Sequence, residues 1–300
     1  MKRTLRSCLW VALVCSAFSP TPAPAGDIVP RLPFDQDQLL KRERGSATPK
    51  IIYHGGPVMT GQKNLYVIYY GSFTQTQHDI LDTFLANLGG SNAFVANTTY
   101  FDAENNFLQN VLDYSPDTDS FDDAYSLGKS LSGHFDQTII KNAIAGGHLP
   151  ADEDGMYLLT ISTDVKLPRS VWCAYHAHSS SIVARMDIKY AVAPNLPPSM
   201  FTSCSGNVAT FHDHTSPNDD IGMDAVCDAL IHEISETATD PNLNAWFTRS
   251  GAENGDLCNF VYGPAFTAAN GSHANVTLGG RDYLVQQIWD REALVCSNGP

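Results

Sequence analysis

DDIGMDAVCDALIHEISETATD, residues 219 to 240 and followed by Pro241, is the stretch on which the reading of this chain turns. It reads as one helix. Asn218 or Asp219 can cap its first turn, and Asp219, Asp220 and Asp224 place negative charge at its positive end. Pro241, with no amide hydrogen to donate, stops it at about Asp240. At about 100° per residue, Met223, Val226, Cys227, Leu230, Ile234 and Thr237 gather on one side, which is the side that must be buried. His232 and Glu236, four apart, fall on roughly the opposite side beside the small residues Ala225 and Ala229.

That opposite side has two readings. Either it is a solvated polar face with no particular task, or the alanines let another segment approach and the polar pair is a two-ligand metal clip. His-Glu-x-x-His on a helix is the zinc clip of many metalloproteases: two imidazoles bind the metal and the intervening Glu activates water. Here Glu236 stands in the place of the second His. A carboxylate also binds zinc, but it moves a site toward harder metals. Downstream, Glu253-Asn254-Gly255-Asp256-Leu257-Cys258 offers two more carboxylates. A chain that leaves the helix at Pro241 and returns through Trp246 and Phe247 brings Glu253 or Asp256 back against the polar face. Glu233, Glu236, Glu253, Asp256 and His232 then coexist only with a cation or with shared protons among them.

Working outward, Asn64 to Gly71 (NLYVIYYG) is a β-branched and aromatic run that reads as a buried strand, and Thr74 can cap a helix from Gln75 to about Leu88. A second helix is expected over Phe135 to Ala145, ended by Gly146-Gly147. Gly155 to Ser162 is the clearest central strand, Asp187 to Val192 another, and Arg281 to Trp289 a last one. The stretch from Thr98 to Leu112 is mixed, and Asp113 to Leu131 is acidic and loop-like. Strands alternating with helices predict an α/β or α+β fold, a single sheet domain over residues 50–300 with flanking helices, one of them carrying the His-Glu-x-x-Glu motif.

Residues 1–25 read as a secretory signal: Lys2, Arg3 and Arg6 precede an apolar run from Cys8 to Phe18 too short to span a membrane, and Ala23-Pro24-Ala25 suits cleavage. Residues 26–49 read as an extended or disordered arm. Loss of the three basic residues takes the formal charge from −14 to about −17, which repels phosphate backbones and argues against nucleic-acid binding. No other apolar stretch reaches transmembrane length, so the mature chain is expected to be secreted, extracellular or periplasmic, with no transmembrane anchor.

Of the seven cysteines, Cys8 and Cys15 fall in the signal, leaving Cys173, Cys204, Cys227, Cys258 and Cys296. Outside the cytoplasm these predict two disulfides and one leftover thiol. Cys227 sits on the buried stripe of the helix, and the preferred pairs are Cys173 with Cys204 and Cys258 with Cys296, although spacing leaves other pairings open. A second polar cluster, Trp172-Cys173-Ala174-Tyr175-His176-Ala177-His178, places His176 and His178 on one face if it is a strand, where they can bind a metal or simply be hydrogen-bonded. His212 and His214 repeat that spacing. The chain has no Gly-x-Ser-x-Gly elbow and no phosphate-cradling glycine loop, so serine-hydrolase and nucleotide-binding readings have no support.

Tyr53-His54-Gly55-Gly56-Pro57-Val58-Met59, Val67 to Gly71, Cys173 to His176, Ile188 to Val192, His232 to Glu236 with Asn244-Ala245-Trp246, Glu253 to Cys258 and Leu284 to Trp289 together resemble the Exordium family, also called phosphate-induced protein 1 proteins. The likeness runs from about residue 50 to 298. It implies secretion and a shared fold, and a place in the cell wall or apoplast with growth responses; it carries no reaction with it. Two functional readings result. In one, the chain is a secreted zinc metallohydrolase acting on extracellular peptide or wall polymer: His232, Glu236 and Glu253 bind zinc, Glu233 is the general base, and Asp256 or Asp240 is a supporting or substitute ligand. In the other, the acidic cluster is a structural site, with calcium as the alternative ion, in a non-catalytic wall-associated protein.

Overall fold

Lys63–Tyr70 (β2) alternates large apolar side chains on both of its faces, which only a strand covered on both sides can bury. In the computed structural model, which describes residues 50–168 and 172–299, it does so. Leu65, Val67 and Tyr69 enter one core, and Tyr66, Ile68 and Tyr70 enter another on the opposite face. The expected export signal and N-terminal arm lie outside the described residues.

After the short Ile52–Tyr53 (β1), the main sheet runs in the order β3-β2-β5-β7-β6, built from Leu112–Asp113 (β3), β2, Gly155–Ile161 (β5), Met186–Val192 (β7) and Tyr175–Val183 (β6), with Ser120–Asp123 (β4) also paired to β2. β3, β4, β5 and β7 run parallel to their neighbours in the β2-centred body of the sheet, and β6 is an antiparallel edge. Parallel strands need crossover connections, and helices supply the layers that cover such a sheet. On one face lie Gln75–Ala86 (α1), through Ile80, Leu81, Phe84 and Leu85, and Ile221–Thr239 (α3). On the other lies Phe135–Ala145 (α2), through Phe135, Ile139, Ile140 and Ala143. The mixed α/β architecture is the one expected, and α1 begins at the Thr74 capping box as read.

Three local expectations are corrected. α3 is capped by Asp220, whose carboxylate accepts from Met223 N at 3.0 Å, and starts at Ile221, because Asp219 takes a left-handed conformation (φ 57°) outside the helix. Asp113 to Leu131 is not all loop: β4 pairs with Val67–Tyr70, the ladder of β2 giving order to a segment whose own composition does not. Arg281 to Trp289 is not one strand. Arg281–Tyr283 pairs with Val276–Leu278 and Ile288–Asp290 with Val295–Ser297; between them Gln286 leaves the ladder and donates its amide to Asp228 instead.

The cysteines join Cys173 to Cys204 and Cys258 to Cys296, and Cys227 is a buried free thiol. The first bond ties the entry of β6 to the segment before α3. The second ties the loop carrying Glu253 and Asp256 to the C-terminal hairpin. Among the described residues no helix is long and apolar enough to cross a membrane.

Candidate metal centre

The polar side of α3 is not solvated. Every residue from Gly222 to Thr239 is buried, His232, Glu233 and Glu236 completely, because the chain after Pro241 folds back over that side. The turn around Asp240 starts the return: its Oδ1 accepts from the amides of Asn244 and Ala245, and Trp246–Phe247 (β8) then pairs with β1. Gly255 brings the backbone against the imidazole. A Cβ there would lie 2.8 Å from His232 Cδ2 and 3.0 Å from Glu236 Oε1, so the approach needs a residue without a side chain. Gly255→Ala is therefore expected to cost about 1–3 kcal/mol by overpacking, read as a lower urea midpoint with an unchanged slope. An unchanged midpoint would mean that the loop does not press on the helix.

Two groups of possible ligands meet here, each with its donor atoms within 4.8 Å of one another: His232, Glu236 and Asp256, and His176, Glu233 and Glu236. His232 Nε2 lies 2.9 Å from Glu236 Oε1 and 3.7 Å from Asp256 Oδ1. Glu253 reaches the cluster from the other end, its Oε2 3.0 Å from His176 Nε2, which is itself 3.4 Å from Glu236 Oε2. Of the residues singled out in the sequence, His232, Glu236 and Asp256 thus converge directly, and Glu253 converges through His176. Asp240 is buried at the C-terminal end of the helix. Asp256 alone keeps some exposure, 22% of its side chain.

His176 was legible only as half of a His-x-His pair on a strand. It reaches the cluster because Tyr175 and Ala177 pack into the core on the α2 face, which turns His176 to the α3 face. His178 does not join it: its Nδ1 sits 2.9 Å from both carboxylate oxygens of Asp187. Gln286 was missed altogether, although it lies in a stretch that supports the family likeness. Its Nε2 donates to Gly255 O at 3.0 Å, which leaves Oε1 to accept from His232 Nδ1 at 3.1 Å. His232 Nε2 then presents a lone pair to Glu236 Oε1. Two acceptors cannot rest 2.9 Å apart in a dry interior without a proton or a cation between them.

The charge balance makes the same point. Burial raises the Glu236 carboxyl well above the ordinary carboxylate range, and the neighbouring Asp256, Glu253 and Asp240 raise it further. Burial and Glu253 push Asp240 up to about 7, and burial raises Asp256 against the pull of His232 and His176. Glu236 Oε2 and Asp240 Oδ2 are buried without a hydrogen-bond partner. Such a constellation is costly as bare charge and suits a hard-to-borderline divalent cation.

Two turns and one turn earlier on α3, burial pushes Asp224 up to about 6 and Asp228 up to about 7, although Asn218 donates to the first and Tyr262 Oη and the Gln286 amide donate to the second. An acid whose folded value is raised holds a proton that the unfolded chain releases. Its stabilisation is present below about pH 4 and lost as pH climbs toward 7. In a chelator, unfolding free energy is expected to fall between pH 5 and 7, by at most about 1.4 kcal/mol per pH unit for each such group. Asp228→Asn, nearly isosteric with the protonated acid, is expected to make that slope shallower; an unchanged slope would remove Asp228 as a source.

The conserved region described as that of phosphate-induced protein 1 matches residues 51–298. Protein EXORDIUM-like 3 of Arabidopsis thaliana is 27% identical over 88% of this chain and 87% of its own length. Protein EXORDIUM of the same plant is 24% identical over 88% and 90%, and Protein PHOSPHATE-INDUCED 1 of Nicotiana tabacum 24% over 82% and 87%. No solved structure matches the chain. With the conserved region spanning nearly everything after residue 50, this chain belongs to the phosphate-induced protein 1, or Exordium, family.

Proposed function

We propose that this family member is an exported metalloprotein whose buried centre on α3 serves zinc-dependent hydrolysis of extracellular peptide or wall material. The observation that carries this reading is the 2.9 Å approach of His232 Nε2, its tautomer set by Gln286, to Glu236 Oε1 one helical turn away. Asp256 supplies a third ligand from the returning loop, with Glu253 held against His176 beside it. A zinc ion there supplies electrophilic polarisation of a carbonyl and of water. In this reading Glu233, next in sequence to His232 and wholly buried within ligand distance of His176 and Glu236, accepts a proton from the attacking water. Export is supported by the two disulfides and by the basic-then-apolar first 25 residues of the chain.

A second reading has its own observation. His176, His232, Glu233, Glu236 and Glu253 are each 2% exposed or less, and a closed metal site without room for a substrate is the arrangement of a structural ion. In that reading the ion, zinc or calcium, pins the 241–258 loop to α3 and the protein acts by binding wall partners. Titration of the metal-stripped protein with zinc and with calcium tests the shared premise. Tight zinc binding lost in His232→Ala supports the imidazole-based centre; calcium binding indifferent to His232→Ala supports the structural alternative; no binding of either overturns both.

A further inference from the structure

The two carboxylate oxygens of Glu236 face different histidines. Oε1 is turned to His232 Nε2 at 2.9 Å, and Oε2 to His176 Nε2 at 3.4 Å. The two ligand groups share no residue except Glu236: one is closed by Asp256 from the returning loop, the other by Glu233 from the helix. We infer that the centre holds two divalent cations bridged by the Glu236 carboxylate, the second bound by His176, Glu236 and Glu233 with Glu253 alongside. The inference rests on the metal-centre reading above and extends it to a dinuclear site.

Three observations support the second cation independently of the first. Glu236 Oε2 is fully buried, makes no hydrogen bond, and points away from the His232 end. Asp240 Oδ2, one helical turn beyond Glu236, is likewise buried without a hydrogen-bond partner. The charge count adds a third: Glu233, Glu236, Asp240 and Glu253 are withdrawn from bulk water and Asp256 keeps only 22% of its side chain exposed, and one divalent cation offsets two of those five acids where two cations offset four. A carboxylate that spans two ions is the usual bridge of hydrolytic two-metal sites, whose ions stand about 3.5–4 Å apart and grip the attacking and leaving oxygens together.

The test uses the full-length secreted chain, stripped and reloaded with manganese(II), measured by metal analysis and by electron paramagnetic resonance. About two ions per chain with a spin-coupled spectrum are expected, falling to about one uncoupled ion in His176→Gln. One ion per chain with an uncoupled spectrum, unchanged by His176→Gln, overturns the second cation and leaves the first standing. No bound ion overturns the metal-centre reading itself. Should the variant fail to fold, the spectrum of the unaltered protein decides alone, since coupling requires two ions and its absence at saturation excludes them.

Discussion

Chelation is expected to lower the unfolding midpoint of this protein by about 8–16 °C. An ion bound at a thousand times its dissociation constant stabilises the folded chain by about 4 kcal/mol, and each kcal/mol shifts the midpoint of a chain this size by about 2–4 °C. The physical reason is local. Without the ion, His232 Nε2 and Glu236 Oε1 face each other with one proton to share, and Asp256, Glu253 and Asp240 press on the same carboxyl. Neutralising them by protonation at pH 7 costs free energy that a cation would supply as binding. Calorimetric scans with and without chelator check this, and His232→Ala is expected to start from a lower midpoint and to shift less on chelation than the unaltered protein. A shift below about 1 °C in the unaltered protein would mean that shared protons, not an ion, hold the cluster together.

The second large effect concerns Glu233. Glu233→Gln keeps the shape of the side chain and removes its ability to accept a proton, so turnover of a casein-derived peptide pool, followed by the appearance of new amino termini, is expected to drop by about 10²–10⁴-fold. His232, Glu236 and Asp256 are untouched by the change, so the variant is expected to keep at least one bound cation and a native midpoint. Hydrolysis undiminished in Glu233→Gln would remove the base. Absence of hydrolysis in the unaltered, metal-loaded protein would favour the structural ion instead.

How much of this was legible in the sequence follows from which contacts are local. Helix α3, its stop at Pro241 and the side-by-side placement of His232 and Glu236 are consequences of helical spacing and could be read directly. So could the strands β2, β5 and β7, whose apolar runs are long enough to need no tertiary help. The side of α3 bearing His232 could not be assigned to solvent or interior, because that depends on the return of the chain after Pro241, a path set by Asp240 capping two amides and by the absence of a side chain at Gly255. His176 arrives from an edge strand 56 residues upstream of His232, and its facing direction is decided by what Tyr175 and Ala177 bury. Gln286 was invisible for a related reason. The run from Arg281 to Trp289 has the composition of one strand, yet it breaks where Gln286 N finds Asp228 and Gln286 Oε1 finds His232, partners that no local pattern announces.

The disulfides illustrate the intermediate case. The expectation of oxidising surroundings and an odd cysteine on a buried stripe narrowed the pairing, and the structure joins Cys173 to Cys204 and Cys258 to Cys296. The second bond also has a place in the site, since it fastens the segment that follows Asp256.

An ion between His232 and Glu236 is sought most directly by anomalous X-ray scattering from crystals of protein purified without chelator. The expected result is an anomalous peak about 2.0–2.2 Å from both His232 Nε2 and a Glu236 carboxylate oxygen. A map with no peak there, and with the two side chains still within hydrogen-bonding distance of each other, would contradict it and leave a proton in the place assigned to the metal.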